Sequence, residues 1–324
     1  MNSSVPEASL ITLQTHMLAE DHNDSENTRA LSWIMSALSI SAKAIAAKLK
    51  HARLEDVLGE VGNENVQGEQ QQKLDVIAND IMKMVLRSRI GVAVIGSEED
   101  DELIFSNLSD SDSNYSVFFD PLDGSSNLDV GGGVGTIFSI FRIDDYNPGQ
   151  LLPGREQVAA GYVLYGSSTI LVMTTGNGTH MFVLDTSVGA FIRVAENLQI
   201  PEHGKIYSVN EANYASFPDG YKAYLDDCHA QGFSSRYAGA MVADVHRVLL
   251  KGGIFMYPPT AKAPGGKLRL MYECNPMTMV IEQAGGLGQT GTGSVLDVEP
   301  TELHQRVPIM LGSPGNVRDL LAKF

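Results

Sequence analysis

Asp120-Pro121-Leu122-Asp123-Gly124-Ser125-Ser126 is the stretch of this chain best suited to chemistry. The apolar run Val117-Phe118-Phe119 reads as a buried strand that delivers Asp120 at its end. Pro121 restrains the turn, and Asp123 follows three residues after Asp120. Two carboxylates and the intervening Leu122 carbonyl can therefore converge on one point. Gly124, Ser125 and Ser126 then offer successive backbone N–H groups and hydroxyls, which is how an anion nest is built. Hard oxygen ligands beside such a nest suit Mg2+ bridging protein and phosphate. A lone D-x-x-D pair would read as a turn with surface acids. The apolar strand in front of this one argues for the site.

Three further acidic points could join it. Gly96-Ser97-Glu98-Glu99-Asp100-Asp101 closes another predicted strand, which puts Glu98 or Glu99 opposite Asp120 and Asp123. Asp100 and Asp101 read as a solvated charge run. Glu69, with Lys73-Leu74-Asp75, lies at the start of a predicted helix. Glu273 precedes the helix-start signature Asn275-Pro276, where a carboxylate is locally favoured. Carboxylates this close repel, so some should bind protons or metal. Taken singly, a tyrosine reads as packing, and Lys267 or Arg269 as surface charge. Their registry with Glu273 in one short segment favours a joint role.

The elements that must position these residues follow from periodicity. Residues 1–8 read as a loose tail and 9–20 as a helix, broken at Asp21–Ser25. Leu31, Ile34, Leu38, Ala42, Ile45 and Leu49 recur at helical steps. Gly59–Gly68 reads as a loop. A third helix over about 70–87 puts Leu74, Ile77, Ile81 and Met84 or Val85 on one face. The period then changes to strands at Gly91–Ile95 and Ser116–Phe119. An antiparallel run follows over Thr136–Arg142, Ala159–Tyr165, Thr169–Thr174, Met181–Asp185 and Phe191–Val194, with a hairpin signal at Asn177-Gly178. Pro201–Gly204 reads as a boundary. Beyond it the spacing predicts strands at Ile206–Val209 and Ile254–Tyr257 and helices over 217–231 and 240–251. A final helix starts at Asn275-Pro276 and ends at Gly285-Gly286. The expected class is α/β.

Composition bounds the function. The chain has 324 residues, enough for one or two domains in one body. A formal net charge of −16 argues against nucleic acid as a partner. It reads first as solubility and second as carboxylates gathered to hold cations. No run approaches the roughly 18 consecutive apolar residues of a membrane helix. The N-terminal residues lack the pattern of a secretory signal. Two widely separated cysteines, Cys228 and Cys274, fit a reducing cytoplasm.

Together these motifs resemble the class I fructose-1,6-bisphosphatase family from about residue 31 onward. The matching segments are Asn65–Glu69 with Lys73–Asp75, Ser97–Asp100, Phe119–Asn127 and Val134–Phe138. Later ones are Val209–Glu211, Arg236–Gly239, Met241–Arg247 and Gly266–Leu270 running into Tyr272–Pro276. The strand with Asp120-Pro121-Leu122-Asp123-Gly124 marks only the wider superfamily, which includes inositol monophosphatases. The C-terminal set is more specific.

The resemblance implies a layered α-β-α-β-α sugar-phosphatase fold with mixed and antiparallel sheets between helix layers. It implies a metal-site and regulatory-type domain over 1–200 and a sugar-phosphate-binding domain over 201–324. The implied activity is Mg2+-dependent removal of the 1-phosphate of fructose 1,6-bisphosphate, in gluconeogenesis or the Calvin cycle, by a cytoplasmic homotetramer. Glu98, Glu99, Asp120, the Leu122 carbonyl, Asp123 and Glu273 would hold two to three Mg2+ ions per subunit, with Mn2+ as a substitute. Glu69, Asp75 and Glu98 would serve catalysis, the first two by positioning or deprotonating the attacking water. Gly124, Ser125 and Ser126 would seat the 1-phosphate with Arg269 nearby. Asn210, Tyr214, Tyr237, Tyr257 and Lys267 would hold the sugar and 6-phosphate, and Arg236 would reach that phosphate across a subunit interface.

The N-terminal quarter departs from the family pattern. Many members bind AMP there through a Thr-Gly-Thr-Gly-Glu-Leu-like stretch, where this chain reads Asn27-Thr28-Arg29-Ala30-Leu31. Thr28, Tyr115 and Arg142 fall on expected positions, and Asn114 replaces a usual lysine. A glycine lets backbone approach a phosphate closely, and Arg29 is bulky there. AMP inhibition is therefore expected to be weak, absent or rebuilt. The competing functions are sedoheptulose-1,7-bisphosphatase, or dual activity, and a non-catalytic sensor of sugar phosphates. Asn127 favours the fructose enzyme, and the retained acids disfavour the sensor.

Overall fold

Successive side chains point to opposite faces along the strands, apolar residues recur at three- and four-residue steps along the helices, and these two periods sort the chain into five layers. The computed structural model describes residues 10–21, 28–55, 58–64, 70–106, 115–143 and 147–324. Among the described residues the chain opens with α1 (Leu13–Asp21) and α2 (Thr28–His51), then β1 (Glu60–Glu64), β2 (Gln70–Gln72) and α3 (Lys73–Arg87). Strands β3 (Val92–Ser97), β4 (Ile104–Phe105), β5 (Tyr115–Asp123), β6 (Val134–Arg142), β7 (Gln157–Tyr165), β8 (Thr169–Thr174), β9 (His180–Asp185) and β10 (Ala190–Ala195) follow. Next come β11 (Ile206–Ser208), α4 (Asp219–Ala230), β12 (Ser234–Ser235), α5 (Met241–Lys251), β13 (Ile254–Tyr257) and β14 (Leu268–Arg269). The chain ends with α6 (Asn275–Gln283), β15 (Leu287–Gln289), β16 (Arg306–Val307), β17 (Ile309–Gly312) and α7 (Pro314–Leu321).

Eight strands form the first sheet in the order β10-β9-β8-β7-β6-β5-β3-β4. All neighbours in it are antiparallel except β3 and β5, which run parallel. One face carries Phe138, Val163, Leu171, Met173 and Phe182 and packs under α1, α2 and α3. The other carries Ile137, Ala160, Tyr162 and Val172 and packs on α5 and α6. The second sheet has the order β12-β11-β13-β17-β15. Its Phe255, Ile309 and Leu311 face α5 and α6, whereas Ile254, Met256 and Met310 face α4 and α7. The result is helix, sheet, helix, sheet, helix, as the family resemblance implied. Period-two alternation is what lets each sheet bury both faces.

Helix α2 is long and apolar enough, by length and composition, to cross a membrane. Its buried stripe of Ile34, Met35, Leu38, Ala42 and Ile45 lies in the first core, so it is placed as a core helix.

The structure corrects several local expectations. The first helix begins at Leu13 and not at residue 9, because Thr12 pairs with Ile192 at the sheet edge. Within Gly59–Gly68, Glu60–Glu64 forms a strand paired antiparallel with Gln70–Gln72. Polar strands of this kind carry no apolar alternation to betray them. The third helix therefore starts at Lys73, and its stripe centres on Leu74, Ala78, Met82 and Leu86, which leaves Met84 exposed. Asn275 is not a cap: its backbone is already helical, at φ −60° and ψ −54°, because a π-helical turn, Leu270–Cys274, comes first. Pro276 lacks the N–H that would bond back to the Tyr272 carbonyl, which suits a wider turn just before it. The expected features at residues 1–8, at Asp21–Ser25 beyond Asp21 itself and at Asn65–Glu69 lie outside the described residues.

Candidate active site

The parallel pair β3 and β5 sets Glu98 and Asp120 at the same end of the first sheet, and the Glu98 N–H donates to the Phe119 carbonyl at 3.1 Å. Ligand sites in α/β sheets form beyond strand ends of this kind. Strand β5 does not stop at Asp120 as its apolar run suggested but continues through Asp123. Asp120 pairs with Ile137 and Asp123 with Gly135, so three steps along β5 face two along β6. Residues three apart in a regular strand point to opposite faces. The bulge turns both carboxylates to one side.

Glu273 joins them from the π-helical turn. Carboxylate oxygens of Asp120, Asp123 and Glu273, one from each, lie within 4.8 Å of one another. All three residues are buried. They and Asp75, Glu98, Glu99, Leu122, Gly124, Ser125 and Ser126 line one cavity of about 620 Å³. The turn at Gly124 is tight: its φ is +74°, and a Cβ there would stand 2.3 Å from that of Ala240. Only glycine tolerates both conditions.

Each acid is held separately. Asp120 Oδ1 accepts the Leu122 N–H at 2.9 Å. Asp123 accepts the Met241 and Val242 N–H groups at 3.2 and 2.8 Å, at the positive end of α5. Glu273 Oε2 accepts the Arg269 N–H at 2.6 Å. Asp75 Oδ2 accepts the Gln72 N–H at 2.8 Å and the Ser125 hydroxyl at 3.2 Å. Asp75 Oδ1 is buried without a hydrogen-bond partner among the described residues. Arg269 is buried too, with its guanidinium 2.9 Å from Glu98 and 3.8 Å from Glu273.

Electrostatics then reports the strain of gathering so much negative charge. Burial, and next the neighbouring Glu98, Asp123 and Glu273, raise Asp120 well above the usual carboxylate range. Burial pushes Asp123 up to about 7 against the pull of the α5 amides. Glu273 rises to about 8, again through burial, despite Arg269. Asp75 rises to about 7 by burial, with Glu99 adding to it. Asp75, Asp123 and Glu273 thus remain partly protonated near neutrality unless positive charge is supplied. A set of hard oxygens, buried and short of cations, fits divalent metal.

The other expected residues divide. Asn210, Tyr237, Tyr257, Lys267 and Arg269 line the same cavity. Burial, and next the neighbouring Tyr257, raise the Tyr237 phenol to about 12. Lys267 is exposed at the cavity wall, whereas Arg269 is not the surface charge it would be on its own. Tyr214 donates to Asp226 at 3.0 Å and Arg236 to the Ser235 carbonyl at 2.7 Å, and neither lines the cavity. Tyr115 and Arg142 are cross-strand partners on β5 and β6, outside it. Thr28 opens α2, while its side chain and all of Glu69 and Asn114 lie outside the described residues. Asp244, Asn127 and Gln72 also line the cavity, and sequence reasoning gave them no binding or catalytic role. Asp244 accepts the Ala238 and Gly239 N–H groups at 2.8 and 3.2 Å, and Asn127 donates to the Ala238 carbonyl at 3.0 Å. The segment Met241–Arg247 was the available signal, since an acid in the first turn of a helix can reach back to the loop before it.

Cations drawn to these carboxylates would stand beside a turn that favours anions, and that pairing is the working part of a metal-dependent phosphatase. The opposite wall, with two tyrosines and a lysine, offers donors to the rest of a phosphorylated ligand. Comparison with known proteins makes the class particular. Residues 11–196 match the family described as fructose-1-6-bisphosphatase, N-terminal domain, and residues 200–323 its C-terminal domain. Fructose-1,6-bisphosphatase class 1 of Chlorobium luteolum is 46% identical over 321 residues, covering 95% of this chain and 96% of the relative. The Chlorobium phaeovibrioides protein of the same name gives the same figures. The holo-form crystal structure of Leishmania major fructose-1,6-bisphosphatase superposes with a TM-score of 0.91 at 38% identity, over 97% of this chain and 99% of that one. The T-state structure gives 0.87 at 37%, with the same coverage. The chain belongs to the class 1 fructose-1,6-bisphosphatase family. It is a phosphatase that hydrolyses fructose 1,6-bisphosphate, with the divalent-metal dependence of that family.

The raised carboxylates fix a pH dependence of stability. Without metal, folded Asp75, Asp123 and Glu273 keep protons to about 7, 7 and 8. The unfolded chain releases them near pH 4. The folded state thus binds more protons across that window, and its stability falls as pH rises through it. In chelator, the melting temperature should drop between about pH 5 and pH 8. Added divalent metal should restore it at the upper end and do little at the lower. A metal-free melting temperature that climbs over this window would contradict the electrostatics.

Proposed function

We propose that the ions are Mg2+, two to three per subunit, with Mn2+ able to substitute, and that they sit between Glu98, Glu99, Asp120, the Leu122 carbonyl, Asp123 and Glu273. The observation that carries this reading is the meeting of Glu98, Asp120, Asp123 and Glu273 in one cavity beside Gly124–Ser126. Bound ions would neutralise phosphoryl oxygens, lower the pKa of water and stabilise the leaving alkoxide.

The chain's own residues do the rest. The Gly124, Ser125 and Ser126 amides and hydroxyls seat the 1-phosphate, with Arg269 close by. Asp75, raised toward neutrality and holding one free oxygen, takes a proton from the attacking water, aided by Glu69 and Glu98. Asn210, Tyr237, Tyr257 and Lys267 grip the sugar and 6-phosphate, which orients the 1-phosphate for in-line attack, and Tyr214 would join them only by leaving Asp226 and turning toward the cavity. Arg236, exposed and outside the cavity of its own chain, reaches the 6-phosphate of a neighbouring subunit in a homotetramer. In this reading residues 1–200 form the metal-site half and 201–324 the sugar-phosphate half. The protein works in the cytoplasm, in gluconeogenesis or the Calvin cycle. Thr28, Tyr115 and Arg142 are remnants of an AMP site.

Phosphate release from a panel of sugar bisphosphates, with and without Mg2+, tests the assignment. Fructose 1,6-bisphosphate should be hydrolysed only with metal, with activity rising from acid to neutral pH. D120A should lower kcat by about 100-fold or more, the scale of losing one preorganised charge in such a site. Equal turnover of sedoheptulose 1,7-bisphosphate would make the enzyme dual, and a panel that stays inert would leave the sensor reading. AMP should inhibit weakly or not at all. Half-inhibition at low micromolar AMP would refute this expectation.

A further inference from the structure

Besides Asp120 and Asp123 on β5, four acids of the site ride on three separate elements: Asp75 on α3, Glu98 and Glu99 after β3, and Glu273 on the π-helical turn. Behind them, Asp100 ties these elements together, and it is not the solvated charge its sequence neighbours suggest. Its Oδ1 accepts from Lys83 Nζ at 2.8 Å and from Asn79 Nδ2 at 3.3 Å, both on α3. The Ser97 hydroxyl donates to Asn79 Oδ1 at 2.8 Å and accepts the Glu99 N–H at 3.2 Å. The Asp100 carbonyl lies 3.1 Å from His304 Nε2, and His304 Nδ1 lies 2.7 Å from the Tyr272 hydroxyl, next to Glu273. A carbonyl only accepts, so Nε2 carries the proton and the Tyr272 hydroxyl donates to Nδ1. Asn79, Ser97 and Tyr272 are buried. Side chains of Lys83 and Asp100 are 20% and 23% exposed, so this pair is largely shielded from solvent.

We propose that the Lys83–Asp100 pair, with Asn79, Ser97 and His304, is a positioning network that sets the spacing of Glu98 and Glu99 from Asp75 and Glu273, and through it the affinity for divalent metal. The inference rests on the proposed function and names residues that touch neither metal nor substrate. Mg2+ demands near-ideal geometry at about 2.0–2.1 Å, so small shifts of the ligand-bearing loop weaken binding. Partners behind metal ligands commonly change affinity by about 10- to 100-fold when lost.

The test is Mn2+ binding to the full chain, followed by calorimetry and by electron paramagnetic resonance, in wild type, Lys83→Met, Lys83→Arg and Asp100→Asn. Lys83→Met and Asp100→Asn should weaken Mn2+ binding by about 10-fold, and Lys83→Arg, which keeps the charge pair, by less than about twofold. KM for fructose 1,6-bisphosphate at saturating metal should not move. Wild-type Mn2+ affinity in both Lys83→Met and Asp100→Asn would overturn the proposal. So would a lowered melting temperature with unchanged Mn2+ binding, which marks a merely structural pair. If Lys83→Met does not fold, the nearly isosteric Asp100→Asn decides. A wild-type chain that binds no Mn2+ would instead remove the proposed function itself, which keeps the two failures apart.

Discussion

Buried negative charge without enough positive charge to balance it is the constraint on which this structure turns. Oxygens of Asp120, Asp123 and Glu273 crowd within 4.8 Å of one another, and all three residues are buried. Coulomb repulsion at such range, in a medium less polarisable than water, drives protons or cations onto the group. Arg269 supplies one charge from inside the fold, through Glu98 and Glu273. The raised carboxylates show that one arginine is not sufficient. A protein that keeps such an arrangement stabilises it with something from outside, and hard oxygens select hard divalent cations.

The layers exist to hold that arrangement. The first sheet supplies Glu98, Asp120 and Asp123, and the chain after β10 supplies Glu273 and the cavity's far wall. Helix α5 joins them. Its first amides hold Asp123, and Asp244, one turn on, holds the loop leading to Tyr237. Gly135 on β6 lets this helix come close, since a Cβ there would stand 2.7 Å from Val242. Movement of α5 would thus shift Asp123 and the Tyr237 side of the cavity together. That coupling is geometric and needs no further element.

Much of this was legible in the sequence where local pattern decides structure. The apolar run before Asp120 and the helical steps from Leu31 to Leu49 gave their elements directly, because burial drives both. What escaped depends on partners far along the chain. The bulge that turns Asp120 and Asp123 to one side is visible only in the register with β6. Asp100 looks like any surface acid until Lys83 is placed beside it. Asn275-Pro276 carries the same letters whether it starts a helix or follows a π-helical turn. Arg236 and Tyr214 came from family resemblance alone, and a single chain does not bring them to the cavity.

The most direct measurement is a crystal of the protein soaked in Mn2+ and examined by anomalous scattering. The account predicts Mn2+ peaks inside the cavity, within coordination distance of Asp120, Asp123 and Glu273. Peaks confined to exposed acids, with the cavity empty at saturating Mn2+, would contradict it.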